Sequence, residues 1–337
     1  MSASAIRLHA AAPTALVTGV CGQDGALLAA HLSGLGYRVV GTSRDAARCD
    51  RQRLEAVGVA RAVAVESLDL ADAAAVRDLI ARVAPDEIYH LAGESSVAAS
   101  YREPAAAFTS VALGTLNVLE TLRVAGAPTR LFVAGSVAMF GDTGGVPLLE
   151  ESPVRPAEPY GLAKATAASL VAQYRGLHGL HACTGILANH ESPLRGERFV
   201  TQKVVRAACR IAAGDGAPLV LGDLAVERDW GWAEEYVAAM HAMLRQDVPE
   251  DLVIATGTTV SLEAFVAAVF ARVGLDWRRH VVRDQGLIRA GEPRVQAVDP
   301  RRAAARLGWR ATVTAPEVAR RLVDAALAGA GPARRAA

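Results

Sequence analysis

The chain has 337 residues, 36 of them basic and 35 acidic, for a formal net charge of +1. That balance offers no electrostatic footprint for nucleic acid or an anionic membrane surface, and no run reaches the ~18 uninterrupted apolar residues of a membrane span. Hydrophobic residues make up 52% and aromatic residues only 5%, so a core of Ala, Val and Leu is expected, ample for one large domain or two.

Residues 1–13 are Ala-rich and lack the apolar h-region of a signal peptide, so they read as a disordered leader. The apolar run Ala15-Leu16-Val17 then enters a glycine loop in which Gly19, Gly22 and Gly25 enclose Gln23 and Asp24, and a helical pattern starts at Ala26. Strand, glycine turn and helix are the context of a dinucleotide-binding loop, with the helix N-terminus facing the phosphates. The spacing is G-x-x-G-x-x-G, and alone it is a weak signal. Further strands are expected at 38–41, 62–65, 87–92, 130–134 and 181–187, and helices at 72–83, 104–125 and from about Tyr160. Asp72 stands where it caps the first of those helices. Strands alternating with helices imply a parallel sheet covered on both faces, with ligands beyond the carboxyl ends of the strands.

After Asn189 the chain is less regular and richer in Arg and Trp. A helix is expected at 199–213, a turn at Asp229-Trp230-Gly231-Trp232, a helix at 233–245 and a returning strand at 253–256. The expected architecture is α/β. A Rossmann-type doubly wound parallel sheet occupies 14–188, a smaller C-terminal substrate-binding lobe 189–328 with some chain crossing between lobes, and a disordered tail 329–337. Cys21, Cys49, Cys183 and Cys209 form no C-x-x-C pair and no metal spacing, so reduced thiols in a cytoplasm and no metal are expected. Cys21 reads as a small residue filling the glycine loop.

The end of the second strand carries Ser43-Arg44-Asp45 and then Arg48. A basic residue there accepts a ribose 2′-phosphate and an acidic one a 2′-hydroxyl. Ser43 and Arg44 point to NADP, and Asp45 leaves NAD as the alternative. Asp69 and Leu70 follow the third strand, where Asp69 can reach an adenine amine, and Leu91, Ala92 and Gly93 end the fourth. Tyr160 and Lys164 lie i and i+4 on one helix, so their side chains share a face. An ammonium beside a phenol favours phenolate, and a phenolate can take a proton from a sugar hydroxyl while hydride leaves for a nicotinamide. Ser136, just after the fifth strand, can bond the same oxygen.

The loop, Asp69, Ser136 and the Tyr160/Lys164 pair resemble the extended short-chain dehydrogenase/reductase superfamily. The segment from Gly185 to Val204, with Asn189, His190, Glu191, Arg195, Val200 and Lys203, is similar to the GDP-mannose 4,6-dehydratase family. So are the stretches around Arg228-Asp229-Trp230-Gly231, 249–257, and Arg289 to Glu292. The resemblance implies an NADP-dependent enzyme acting on a GDP-hexose. Ser95, Asn189, Glu191, Val200, Lys203, Arg228, Arg289 and Glu292 would contact that substrate, the cations at its diphosphate and Glu292 at ribose hydroxyls. It also implies a homodimer or homotetramer. One departure bears on the chemistry. The family's strand-five loop resembles S-T-S-E-(L/M)-(Y/F)-G, and its Glu removes the C5 proton; here that position is Ala138. Loss of such a group costs ~10²–10⁴-fold in general acid–base catalysis. Glu94, where the family has Gln, is a candidate replacement in a facing loop. Three readings therefore stay open. They are a GDP-sugar 4,6-dehydratase, a GDP-4-keto-6-deoxyhexose reductase or epimerase, and a non-catalytic nucleotide-sugar-binding homologue.

Overall fold

The computed structural model describes residues 12–289 and 291–329; positions 1–11 of the expected leader and 330–337 of the expected tail lie outside them. Twelve strands run along the described chain. They are β1 (Thr14–Thr18), β2 (Arg38–Ser43), β3 (Ala64–Ser67), β4 (Glu87–His90), β5 (Arg130–Ala134), β6 (Ala182–Leu187), β7 (Asn189–Glu191), β8 (Leu219–Leu221), β9 (Glu227–Trp232), β10 (Leu252–Ile254), β11 (Thr259–Ser261) and β12 (Val281–Arg283). Seven form one sheet in the order β10-β6-β5-β4-β1-β2-β3, every pair parallel. This is the doubly wound sheet expected.

Alternation along the strands explains why their sequences read as continuous apolar runs. Ala15 and Val17 of β1 join Tyr89 and Phe132 on one face, under the helices Gln23–Gly34 and Ala233–Leu244. Leu16, Val40, Ile88 and Leu131 face the other way, under Ala73–Val83, Gly114–Ala125 and Pro159–His178. The helix Ala73–Val83 starts as expected, with Asp72 accepting from the amides of Ala74 and Ala75. The second lobe has its own core, where Trp230 and Trp232 pack with the helices Val200–Ala212, Leu262–Arg272 and Ala315–Gly329. From the C-terminal half of the chain, β10 returns to pair with β6 (Leu252↔Gly185).

Four expectations change. The segment Asp229-Trp230-Gly231-Trp232 is not a turn but the body of β9, the centre of a small sheet ordered β11-β9-β7. Gly231 is there because a side chain would press into the Tyr236 ring (2.6 Å from its hydroxyl oxygen), and Asp229 accepts from the amides of Thr256, Gly257 and Thr258. The third strand starts at Ala64, on the sheet edge. The long helix 104–125 carries a π-helical turn at Thr109–Leu113. By length and composition that helix could cross a bilayer, yet half of its most apolar window is buried in the fold, as in a core helix. Finally, the thiols are not all reduced: Cys21 and Cys49 form a disulfide, with Cα atoms 6.7 Å apart. Parallel pairing of β1 with β2 (Thr18↔Thr42) sets the following loops side by side, and that brings the two cysteines together. Cys183 and Cys209 are free, and the reduced-thiol argument for a cytoplasmic location falls away.

Candidate active site

The cleft between the lobes has a volume of about 600 Å³ and lies beyond the carboxyl ends of β1, β4, β5 and β6. At β1 the chain turns through Gly19 (φ +74°), where a Cβ would approach within 3.0 Å of the Ala92 Cα. Gly25 lies so close to the turn that a Cβ would stand 2.6 Å from the Val20 Cα. Gly22 is the N-cap of the helix Gln23–Gly34, in extended conformation and with no side chain over the helix mouth. The result is a bare cradle with a helix dipole aimed into it, which fits a pyrophosphate. Thr18 ties this loop to the next strand: its hydroxyl accepts from the amides of Leu91 and Ala92, ahead of Gly93.

The side chains expected at the cofactor are divided. Gln23 is buried and fully engaged: its amide donates to Asp24 and to the His190 carbonyl, and its oxygen accepts from Ser192. Asp24 pairs with His190, Oδ2 to Nε2, at 3.0 Å. The His190 Nδ1 faces the Ala188 carbonyl at 2.8 Å, so both ring nitrogens meet acceptors, an arrangement that favours the protonated ring. Burial alone would lower its pKa, but Asp24 outweighs burial and raises it. Burial would likewise raise Asp24, but His190, Gln23 and Arg195 hold the carboxylate well below its usual range. These residues join the glycine loop to the second lobe, so any contact of Gln23 with a cofactor falls to its backbone. Arg44 is exposed beside half-buried Ser43, while Asp45 accepts from the amides of Ala47 and Arg48. Asp69 accepts from the Ala71 amide, with Leu70 buried next to it.

Tyr160 and Lys164 both line the cleft, on the helix Pro159–His178. Their relation differs from the expectation. The Lys164 Nζ lies 5.9 Å from the Tyr160 ring centre and donates to the Ala134 carbonyl at 2.6 Å. Burial pushes the ammonium down to about 8. Burial also pushes the Tyr160 phenol up to about 12, against a hydrogen-bonding contribution from Ser136 and the positive charge of Arg195. In this geometry the lysine anchors the end of β5, while Ser136 and Arg195 favour phenolate. Ser136 N-caps the short turn Val137–Phe140.

The far wall comes from the second lobe. Asn189, Glu191, Val200, Lys203, Arg228, Arg289 and Glu292 line it, with Ser95 opposite. Lys203 donates to the Val220 carbonyl at 2.7 Å, Arg228 to that of Pro293 at 2.7 Å. Glu292 bridges the guanidinium groups of Arg289 and Arg228. Glu191 is buried, accepting from Thr201 and lying 3.6 Å from Arg195. Glu94 departs from expectation: its carboxylate accepts from the amides of Ser95 and Ser96 and lies 3.5 Å from Arg198, and it does not line the cleft. Two further lining residues bear on Tyr160: Arg195, given above only as part of the family-like segment, and Glu158, which the sequence did not single out. Arg195 stacks on Phe199 (3.6 Å) and faces Tyr160, and Glu158 stands immediately before Pro159-Tyr160.

The parallel sheet, the cradle at β1 and a Tyr/Lys pair opposite a cationic lobe define an extended short-chain dehydrogenase/reductase. The GDP-mannose 4,6 dehydratase profile matches residues 16–322. GDP-mannose 4,6 dehydratase 2 of Arabidopsis thaliana is 39% identical over 320 residues, covering 92% of this chain and 86% of that one. The GDP-mannose 4,6-dehydratase of Sinorhizobium fredii (strain HH103) is 40% identical over 296 residues, covering 85% and 84%. Among solved structures, DesIV of Streptomyces venezuelae, a dTDP-glucose 4,6-dehydratase with NAD and TYD bound, superposes with a TM-score of 0.84 at 21% identity, covering 96% and 100%. The chain belongs to the GDP-mannose 4,6-dehydratase family, and it is an enzyme.

Proposed function

We propose that this chain binds NADP along the β1 cradle and a GDP-hexose across the cleft, oxidises the sugar at C4 and eliminates water between C5 and C6. One observation carries the reading: the Tyr160/Lys164 pair lines the same cleft as Lys203, Arg228 and Arg289 of the other lobe. Cations converging from separate segments suit a diphosphate. When bound there, the cofactor would supply a hydride acceptor and donor for the sugar and a positive charge that would favour phenolate. Gly22 and Gly25 leave room for its pyrophosphate, and exposed Arg44 with Ser43 supports a 2′-phosphate over a bare ribose.

The protein's own part is proton management and positioning. Tyr160 accepts the C4 hydroxyl proton, with Ser136 hydrogen-bonding the same oxygen. Lys164, fixed on the Ala134 carbonyl, holds the floor of the site at the end of β5. Arg228 and Arg289 hold the diphosphate, releasing Glu292 to the guanosine ribose. Exposed Phe108, Leu113 and Leu162 form an apolar face on neighbouring helices, supporting a homodimer. The segment after β2 folds back on its own chain, Arg53 donating to the carbonyls of Leu194 and Cys21.

The test is incubation with GDP-mannose and NADP, followed by mass spectrometry of the nucleotide sugar; loss of water supports the reading, and unchanged substrate counts against it. A second reading has its own observation. Ala138 has no carboxylate, which favours C4 chemistry alone. Offering a GDP-4-keto-6-deoxyhexose with NADPH tests that alternative: consumption of NADPH, with no water loss in the first assay, would establish it.

A further inference from the structure

Elimination at C5–C6 needs a carboxyl-type group that takes a proton from carbon and delivers one to the departing hydroxyl. Ala138 supplies none, and Glu94 is engaged outside the cleft. Five carboxylates line the cleft: Asp24, Glu158, Glu191, Asp223 and Glu292. Four of them are committed. Asp24 is paired with His190, Glu191 accepts from Thr201, Asp223 accepts from the Ala225 amide, and Glu292 bridges two arginines.

Glu158 stands apart. It is only 8% exposed, yet no hydrogen bond or ion pair reaches its carboxylate among the described residues. It occupies the N-cap position of the helix Pro159–His178 with extended backbone (φ −145°, ψ 154°), and its side chain makes no capping bond. A buried carboxylate that neither caps nor pairs is costly to keep, and this one lines the cleft. Its position joins it to the chemistry. Tyr160 follows two residues later and feels its charge. Gly161 packs against the Ala138 carbonyl, leaving no room for a Cβ, so the helix start and the 138 turn form one continuous wall.

We infer that Glu158 is the acid–base catalyst of the elimination, entering from the helix start where Ala138 leaves the strand-five turn empty. This rests on the dehydratase reading above. In the 4-keto sugar the C5–H bond is acidic. The Glu158 carboxylate takes that proton, the C–H electron pair becomes the C5=C6 double bond, and the C6–O bond breaks. The departing hydroxyl takes the same proton from the Glu158 carboxyl and leaves as water, which regenerates the carboxylate. Burial raises the Glu158 pKa, against the pull of Arg289 and Arg228, and so moves it toward the range in which a carboxyl both accepts and donates near neutrality.

The test compares wild type with Glu158→Gln and Glu158→Asp, each loaded with NADP⁺ and given GDP-mannose in D2O. Three quantities are read: absorbance of reduced nicotinamide, deuterium at C5, and water loss. For Glu158→Gln the reduced cofactor should build up while deuterium uptake and water loss fall by ~10²–10⁴-fold. Glu158→Asp, which keeps the carboxyl, should retain part of the elimination. Formation of reduced nicotinamide by both variants shows that fold and substrate binding are intact. Water loss and C5 exchange by Glu158→Gln at the wild-type rate would overturn the assignment. Wild type that neither reduces its cofactor nor loses water would instead overturn the dehydratase reading beneath it.

Discussion

Lys164→Met should stabilise the protein while disabling it. The ammonium is 7% exposed, and burial moves its pKa from 10.5 to about 8. At neutral pH the folded chain must keep that group charged, and the shift, at ~1.4 kcal/mol per unit, sets the cost at about 3 kcal/mol. Met removes the charge and keeps the volume, but leaves the Ala134 carbonyl without its donor, a loss of ~1–3 kcal/mol. The net expectation is a gain of ~0–2 kcal/mol near neutrality. The sign follows from linkage. A lysine depressed in the folded state destabilises most below the folded value, and the penalty fades as pH rises from about 8 to 10.5. The variant's advantage should therefore shrink across that interval. Denaturant unfolding of both proteins, in parallel over this pH range, measures the difference directly. A variant less stable than wild type at neutral pH, or a difference that does not change with pH, would refute the reasoning.

His190→Gln should flatten a pH dependence: the raised His190 contributes stability fully present below 6.5 and lost as pH rises through its folded value, so wild type should lose stability as pH rises above 6.5 and the variant should not. Reductant should lower the unfolding free energy by about 3–4 kcal/mol, the loop-closure estimate for cysteines 28 residues apart, and Cys21→Ser/Cys49→Ser should be insensitive to it. If the proposed homodimer forms through the exposed apolar helical face, wild type should sediment as a dimer and Leu162→Asp as a monomer; a dimeric variant would place the interface elsewhere, and a monomeric wild type would refute the dimer.

The sheet was legible in the sequence because its strands are buried on both faces and announce themselves as short apolar runs between turn residues. The glycine loop was legible because close approach there admits no side chain. Pairings across the chain were less visible. Nothing in the spacing of Cys21 and Cys49 joins them; the parallel register of β1 and β2 does. Asp229-Trp230-Gly231-Trp232 looked like a turn because Asp and Gly are turn residues, whereas here one accepts amides from a neighbouring segment and the other makes room for Tyr236. The surroundings of Tyr160 were hidden for a related reason. Sequence spacing puts Lys164 on the same helical face, but does not show that the ammonium turns to the Ala134 carbonyl or that Ser136 and Arg195 are what favours phenolate. Glu158 had a signal that went unread: an acidic residue directly before Pro-Tyr at a helix start, where a capping role is the ordinary expectation and the structure shows none.

The central claim is that the Tyr160 phenol is where a GDP-sugar hydroxyl gives up its proton. Single-turnover mixing of NADP⁺-loaded protein with GDP-mannose tests it most directly, in wild type and in Tyr160→Phe. Wild type should form reduced nicotinamide, while Tyr160→Phe binds both ligands and forms almost none. Equal nicotinamide reduction by the two proteins would contradict the account.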